Sequence, residues 1–138
     1  MKGYQASSEA TAQQTLMTGL AFSESPRWHG GRLWFSNWGT QEIIAVEAYG
    51  KSEVVVHLPF QSFPFSIDWL PDGRLLIASS SDRPLLRQEP DGTLVDHADV
   101  KRGWNEIVVD GRGNAYVNGA GFNPPANEKF APGRSLVS

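Results

Sequence analysis

The sequence predicts an all-β chain of repeated four-stranded units, and three observations lead to that class. A glycine-led strand motif recurs: GRLWFSN from Gly31, GRLLIAS from Gly73 and GNAYVNG from Gly113, spaced 42 and then 40 residues apart. A second register keeps the same period, because the Tyr49-Gly50 turn ends 19 residues after Gly31 and the Asp91-Gly92 turn ends 19 residues after Gly73. Finally, 14 glycines and 9 prolines punctuate short β-branched and aromatic runs, and no long stretch carries a helical apolar period. Four-stranded units of about 40–45 residues, each too small to bury its own faces, are the signature of β-propeller blades.

In the first unit, strands are expected over 25–28, 32–36, 42–47 and 53–58, separated by Gly30-Gly31 and Tyr49-Gly50. The second unit repeats the pattern over 65–70, 74–79, 85–89 and 93–98, with LPDG and EPDG as its tight turns. The third begins at Trp104, runs through IVVDGRGNAYVNG and meets GFNPPANEKFAPG, and 134–138 starts its third strand. The expected organisation is a flexible N-terminal segment over 1–18 and a partial propeller over 19–138. Blade 1 spans about 24–60, blade 2 about 64–100 and a partial blade 3 about 103–138. Closed propellers need about four to eight blades, so two and a half predict the leading part of a larger ring or a shortened product of one.

Composition narrows the function classes. A 138-residue chain that is 40% hydrophobic and 20% charged, with net charge −3, buries a core and is neither a disordered polyampholyte nor a basic nucleic-acid binder. The absence of cysteine excludes a disulfide scaffold, a cysteine-ligated zinc and a thiol nucleophile. His29, His57 and His97 lack the spacing of a helical metal motif. The opening MKGYQASSEATAQQTLMTGL carries no apolar run of a secretory signal, and no membrane-length apolar stretch follows. The expectation is a soluble, cytoplasmic protein with no membrane or nucleic-acid partner.

In a blade repeat the first strand of each unit lies innermost, so equivalent strand ends converge from different blades. Seven residues before the three reference glycines stand Glu24, Ser66 and Glu106, with Asn105 beside the last. Carboxylate and amide oxygens gathered there are the ligands of a hard divalent cation.

At these residues the chain resembles the SMP-30/gluconolactonase/luciferin-regenerating-enzyme family, six-bladed propellers that include metal-dependent lactonases. The likeness is carried by SESPRWHGGRLWFSN, by SIDWLPDGRLLIASSSDRPLLRQEPDGT and by WNEIVVDGRGNAYVNGAGFNP, over roughly residues 19–125. Its most telling parts are the E-x-P-x-W opening and the N-[DE]-x-x-V-D-x-x-G element. The resemblance implies that Glu24 is the first-blade metal ligand, that Asn105 contacts substrate, and that Asn123 falls near a further substrate-contacting position. Some members carry an arginine two residues before the asparagine; this chain has Gly103, with Arg102 beside it, which weakens the match to sugar-acid lactones. The family's other two metal ligands belong to later blades. The implied chemistry is metal-assisted hydrolysis of a small-molecule lactone or cyclic ester. The ion is Ca, Zn, Mn or Mg, and an oxygen-only shell favours the harder ones.

Each residue also has a structural reading. Glu24 can be a solvated strand-end carboxylate, and Asn105 and Asn123 can be turn residues, the more so for Asn123 ahead of Pro124. Ser66 and Glu106 are expected to be structural. Trp34, Phe35, Trp28 and Trp69 are read as blade packing, the two last as near-equivalent positions before turns. The histidines end strands, where they are usually solvated or capping, and the glycines at Gly111 and Gly113 form a hairpin turn. The alternative function is a non-catalytic propeller fragment or partner-binding module. A homodimer of two three-bladed chains could complete a ring. A quinone-dependent or strictosidine-synthase-like enzyme has fold analogy alone behind it.

Overall fold

A computed structural model describes residues 12–79, 83–100, 104–119 and 134–137. Eleven strands occupy them in three antiparallel sheets. β1 (Ser23–His29), β2 (Arg32–Asn37), β3 (Glu42–Glu47) and β4 (Ser52–His57) pair in sequence order, as do β5 (Phe65–Trp69), β6 (Leu75–Ser79), β7 (Leu85–Gln88) and β8 (Leu94–Ala98). β9 (Glu106–Val109), β10 (Ala115–Gly119) and β11 (Arg134–Val137) form the third sheet with β10 central. The expected strands are present to within a few residues, and β11 falls where the third strand of the third unit was expected.

Tight turns make this meander. At Gly73, Gly92 and Gly113 the backbone has φ of 90°, 89° and 87°, which a side chain would strain. Each amide there closes the turn on the carbonyl three residues earlier, Leu70, Glu89 and Asp110 respectively. The aspartate ahead of each glycine caps the turn from its side chain. Asp72 Oδ1 accepts from the Arg74 amide at 3.0 Å, and Asp91 Oδ1 from the Thr93 amide at 3.0 Å. Asp110 Oδ1 accepts from the Arg112 and Asn114 amides at 2.9 and 3.0 Å.

Alternation along the strands builds the core between sheets. On β6, Leu75 and Ile77 face blade 1 and join Trp34, Ile43, Ala45, Phe65 and Ile67. Leu76 and Ala78 face the other way and join Leu85, Trp104, Ile107, Ala115 and Val117. The middle sheet is therefore buried on both faces, and all five β6 residues are buried. The outer face of blade 1, with Phe35, Ile44 and Val46, is covered by Leu16, Met17 and Leu20. Part of the segment expected to be flexible thus lies against the first sheet.

One packing expectation is corrected. Trp28 and Trp69 are not equivalent: Trp69 packs on the core between the sheets, whereas Trp28 is 65% exposed. With a repeat of 42, Trp28 corresponds to Leu70 and not to Trp69. A bulge between Glu24 and Arg27 also shifts the β1 register. Because side chains alternate with period two, a one-residue offset moves a ring to the opposite face.

Candidate functional site

The entry to β1 is bent and tied down by its own backbone. Trp38 and Gly39 donate their amides to the carbonyls of Phe22 and Ala21 at 2.9 and 2.7 Å, and the Ala21 amide reaches Asn37 Oδ1 at 2.9 Å. The approach is so close that a Cβ on Gly39 would sit 2.5 Å from the Ala21 Cβ. Phe22, Ser25 and Gln41 hold positive φ of 64°, 56° and 60° without being glycine, and all three belong to this end of blade 1. The turn at Ser25 aims its hydroxyl inward, where it accepts from the Ile67 amide at 3.2 Å and donates to Glu106 Oε1 at 3.3 Å. Arg27 Nη2 completes the junction at 2.7 Å from Glu106 Oε1 and 2.9 Å from the Ile107 carbonyl. First strands of all three blades are joined through these few side chains.

Glu24, Ser66 and Glu106 share this end of the first strands but face three different surroundings. Glu24 is exposed and lines an open cleft of about 510 Å³ with Leu16, Met17, Leu20, Leu33 and Phe35. Among the described residues its carboxylate has no hydrogen-bond partner. Ser66 is fully buried, and its hydroxyl finds no partner among them. Glu106 is consumed by Arg27 and Ser25. Asn105 is exposed, with its amide bound to the Asn118 carbonyl at 2.8 Å. Asn123 lies outside the described residues. The spacing therefore places these residues at one end of the first strands without producing a common focus.

A divalent ion fits this donor set only in kind. Glu24 and Asn105 offer hard oxygen donors, but no group of three or more His, Cys, Asp or Glu side chains able to hold a metal occurs among the described residues. They do not by themselves make a metal site. No helix among them is long and apolar enough to cross a membrane.

The opposite end of the sheets is built differently. There His29 lies parallel to Trp69, ring centroids 4.0 Å apart, with Trp34 edge-on to Trp69 at 5.1 Å. They border an open groove of about 550 Å³. Burial against these rings lowers the His29 pKa from its ordinary value despite the opposing pull of Asp68. The charges at this groove satisfy one another: Arg74 bridges Asp72 at 2.8 Å and Glu89 at 3.3 Å, and Arg87 bridges Glu89 at 2.5 Å. Hydrogen bonds from Arg74 and Arg87 hold Asp72 and Glu89 respectively below the ordinary carboxylate range.

At the Glu24 end, sequence reasoning missed an aromatic cluster. Phe22 stacks on Trp38 at 5.1 Å and 8°, and Phe63 stands edge-on to Phe22 at 5.6 Å and to Trp38 at 4.9 Å. The available signal was an aromatic just before the E-x-P element and another in the connection between units.

Sheets of four antiparallel strands, packed face to face with their first strands adjoining, define the class as a β-propeller blade protein. Among solved structures, the chain matches a structural-genomics target described as a candidate gluconolactonase, with TM-score 0.62, 20% identity, and 78% of this chain against 39% of that one. It also matches a gluconolactonase from Xanthomonas campestris, described as important in secondary glucose metabolism, with TM-score 0.63, 19% identity, and 77% against 37%. The chain thus spans under two fifths of either structure. No protein-family model and no curated protein matches the sequence.

Proposed function

We propose that the chain is part of a lactonase of the SMP-30/gluconolactonase type, hydrolysing a lactone or related cyclic ester, with Glu24 as one oxygen ligand of a divalent ion and Asn105 as a substrate contact. The observation that carries this reading is the shared fold over 78% of the chain with a gluconolactonase-type propeller. The exposed carboxylate of Glu24 at the end of a first strand supports the ligand role. Calorimetry with Ca²⁺, Mg²⁺, Mn²⁺ and Zn²⁺ tests it, because Glu24→Gln removes one anionic donor and is expected to weaken the binding seen with the unaltered chain. Equal binding by both proteins ends the ligand assignment. Ring opening of glucono-1,5-lactone, followed by acid release, tests the activity.

A specific observation favours a partner-binding role as well. Val108, Tyr116 and Val137 are exposed cross-strand neighbours on one face of the third sheet. In the repeat, Tyr116 stands where blades 1 and 2 bury Trp34 and Leu76 against the next sheet. This face suits a further sheet, which a second copy would supply in a ring-closing homodimer. Light scattering that gives a monomer mass at high concentration rules out the homodimer.

A further inference from the structure

We infer that the groove between blades 1 and 2, at the end of the sheets opposite Glu24, is a site for an uncharged sugar ring, a role separate from the lactonase reading. Its volume of about 550 Å³ is that of a small-molecule site. One wall is aromatic: His29 lies flat on Trp69, with centroids 4.0 Å apart and 5° between the planes, and Trp34 stands edge-on to both. The other wall is polar and comes from the turns of blade 2 and the strand ends beside them, with Asp72, Arg74, Gln88 and Glu89.

Two features select the ligand. Every charged side chain lining the groove already faces an opposite charge, since Arg32 bridges Glu53 at 2.8 Å and Arg74 bridges both Asp72 and Glu89. The groove therefore offers no unmatched charge to an ion. What stays unpartnered is neutral: among the described residues the Gln88 side-chain amide, the Trp69 indole N–H and the His29 ring nitrogens make no hydrogen bond. Burial against Trp69 keeps the imidazole uncharged near neutral pH. Together these groups donate and accept, as the hydroxyls of a sugar do. A pyranose carries both counterparts, a flat C–H face for the aromatic wall and a rim of hydroxyls for the polar groups. A planar aromatic ligand would answer the first wall and leave the second unused.

The walls are positioned in advance of any ligand. Trp34 donates its indole N–H to the His29 carbonyl at 2.9 Å, and the Arg32 guanidinium lies 4.9 Å over the Trp34 ring. Asp68 fixes the end of β5, where its Oδ1 accepts from the Trp69 amide at 2.9 Å and its Oδ2 from the Val109 amide at 2.7 Å. Such prior positioning is what a binding wall requires. The strand ends flanking 80–82, 101–103 and 120–133 belong to the other end of the sheets, whereas the connections bordering this groove are short turns whose residues are all described. Leu16, Met17 and Leu20 lie on the far face of blade 1.

The test uses methyl β-glucopyranoside, an uncharged ring with no lactone to open, in ligand-observed saturation-transfer NMR titrations of the whole chain. The unaltered chain is expected to bind it. His29→Ala and Gln88→Ala should each weaken binding about threefold to tenfold, the scale of one lost ring contact or hydrogen bond. His29→Leu and Gln88→Met keep the bulk where the alanine variants fail to fold, and they should lose the same contacts. Tyr49→Ala, which removes an exposed ring outside the groove, is the control and should change nothing. Glu24→Gln should leave glucoside binding intact, which separates this groove from the metal and lactonase readings. Indole and gluconate, titrated in parallel, should bind more weakly than the glucoside. Absence of glucoside binding, undiminished binding by the His29 and Gln88 variants, an equal loss in Tyr49→Ala or Glu24→Gln, or tighter binding of indole or gluconate overturns the inference.

Discussion

Replacing Ile77 by alanine should unsettle two sheets at once. Ile77 is fully buried on β6, opposite Ile67 on one side and Leu86 on the other, and it packs in the cluster shared with Trp34, Ile43 and Ala45 of blade 1. The substitution removes three carbons, at about 0.8 kcal/mol each, for about 2.4 kcal/mol of transfer free energy. The cavity left between the sheets cannot collapse without moving both, which raises the expected loss to about 3–4 kcal/mol. Urea unfolding followed by tryptophan fluorescence and by far-ultraviolet circular dichroism reads this out. With a slope of about 2 kcal/mol/M the midpoint falls by about 1.5–2 M. Both probes should move together, because neither sheet has a core of its own on that side. A loss below about 1 kcal/mol, or two separate transitions, would refute the claim that blades 1 and 2 share one core.

Gly39→Ala forces a Cβ against the Ala21 backbone and displaces the 2.7 Å bond between them, so thermal melts should show a destabilisation of about 1–3 kcal/mol. Tyr49→Ala, on an exposed turn, should stay within about 0.5 kcal/mol. Because burial lowers the folded-state pKa of His29, its protonation is disfavoured in the folded chain, and stability should decline as the pH falls through the unfolded value of 6.5. An NMR titration of His29 at or above 6.5 contradicts this. Asp110 is held down to about 2, chiefly by the Asn114 side chain. Its contribution is present above the ordinary carboxylate value of 3.8 and fades as the pH falls toward 2; Asn114→Ala should raise the Asp110 pKa in a carboxyl-observed titration.

Local periodicity and turn chemistry were enough to specify the blades. Alternating apolar runs ended by Gly73, Gly92 and Gly113 can form only short antiparallel strands, and these strands fall where the repeat puts them. The same repeat located the end of the first strands where Glu24, Asn105 and Glu106 lie. What those side chains do was decided by contacts between residues far apart in the chain. Arg27 reaches Glu106 across 79 positions, and the Ile67 amide reaches Ser25 across 42. No spacing rule reports such bonds, because they depend on how the sheets stack.

The bulge in β1 and the positive φ of Ser25 are likewise paid out by the surrounding packing, since no local residue preference places serine or phenylalanine there. They turn Trp28 outward, leave Glu24 in an apolar cleft instead of beside Ser66, and stand Phe22 against Trp38 and Phe63. Strand identity follows from the residue sequence because alternation and turns act over a few neighbours. Site geometry follows from tertiary packing because a single register shift reverses the face on which a side chain emerges.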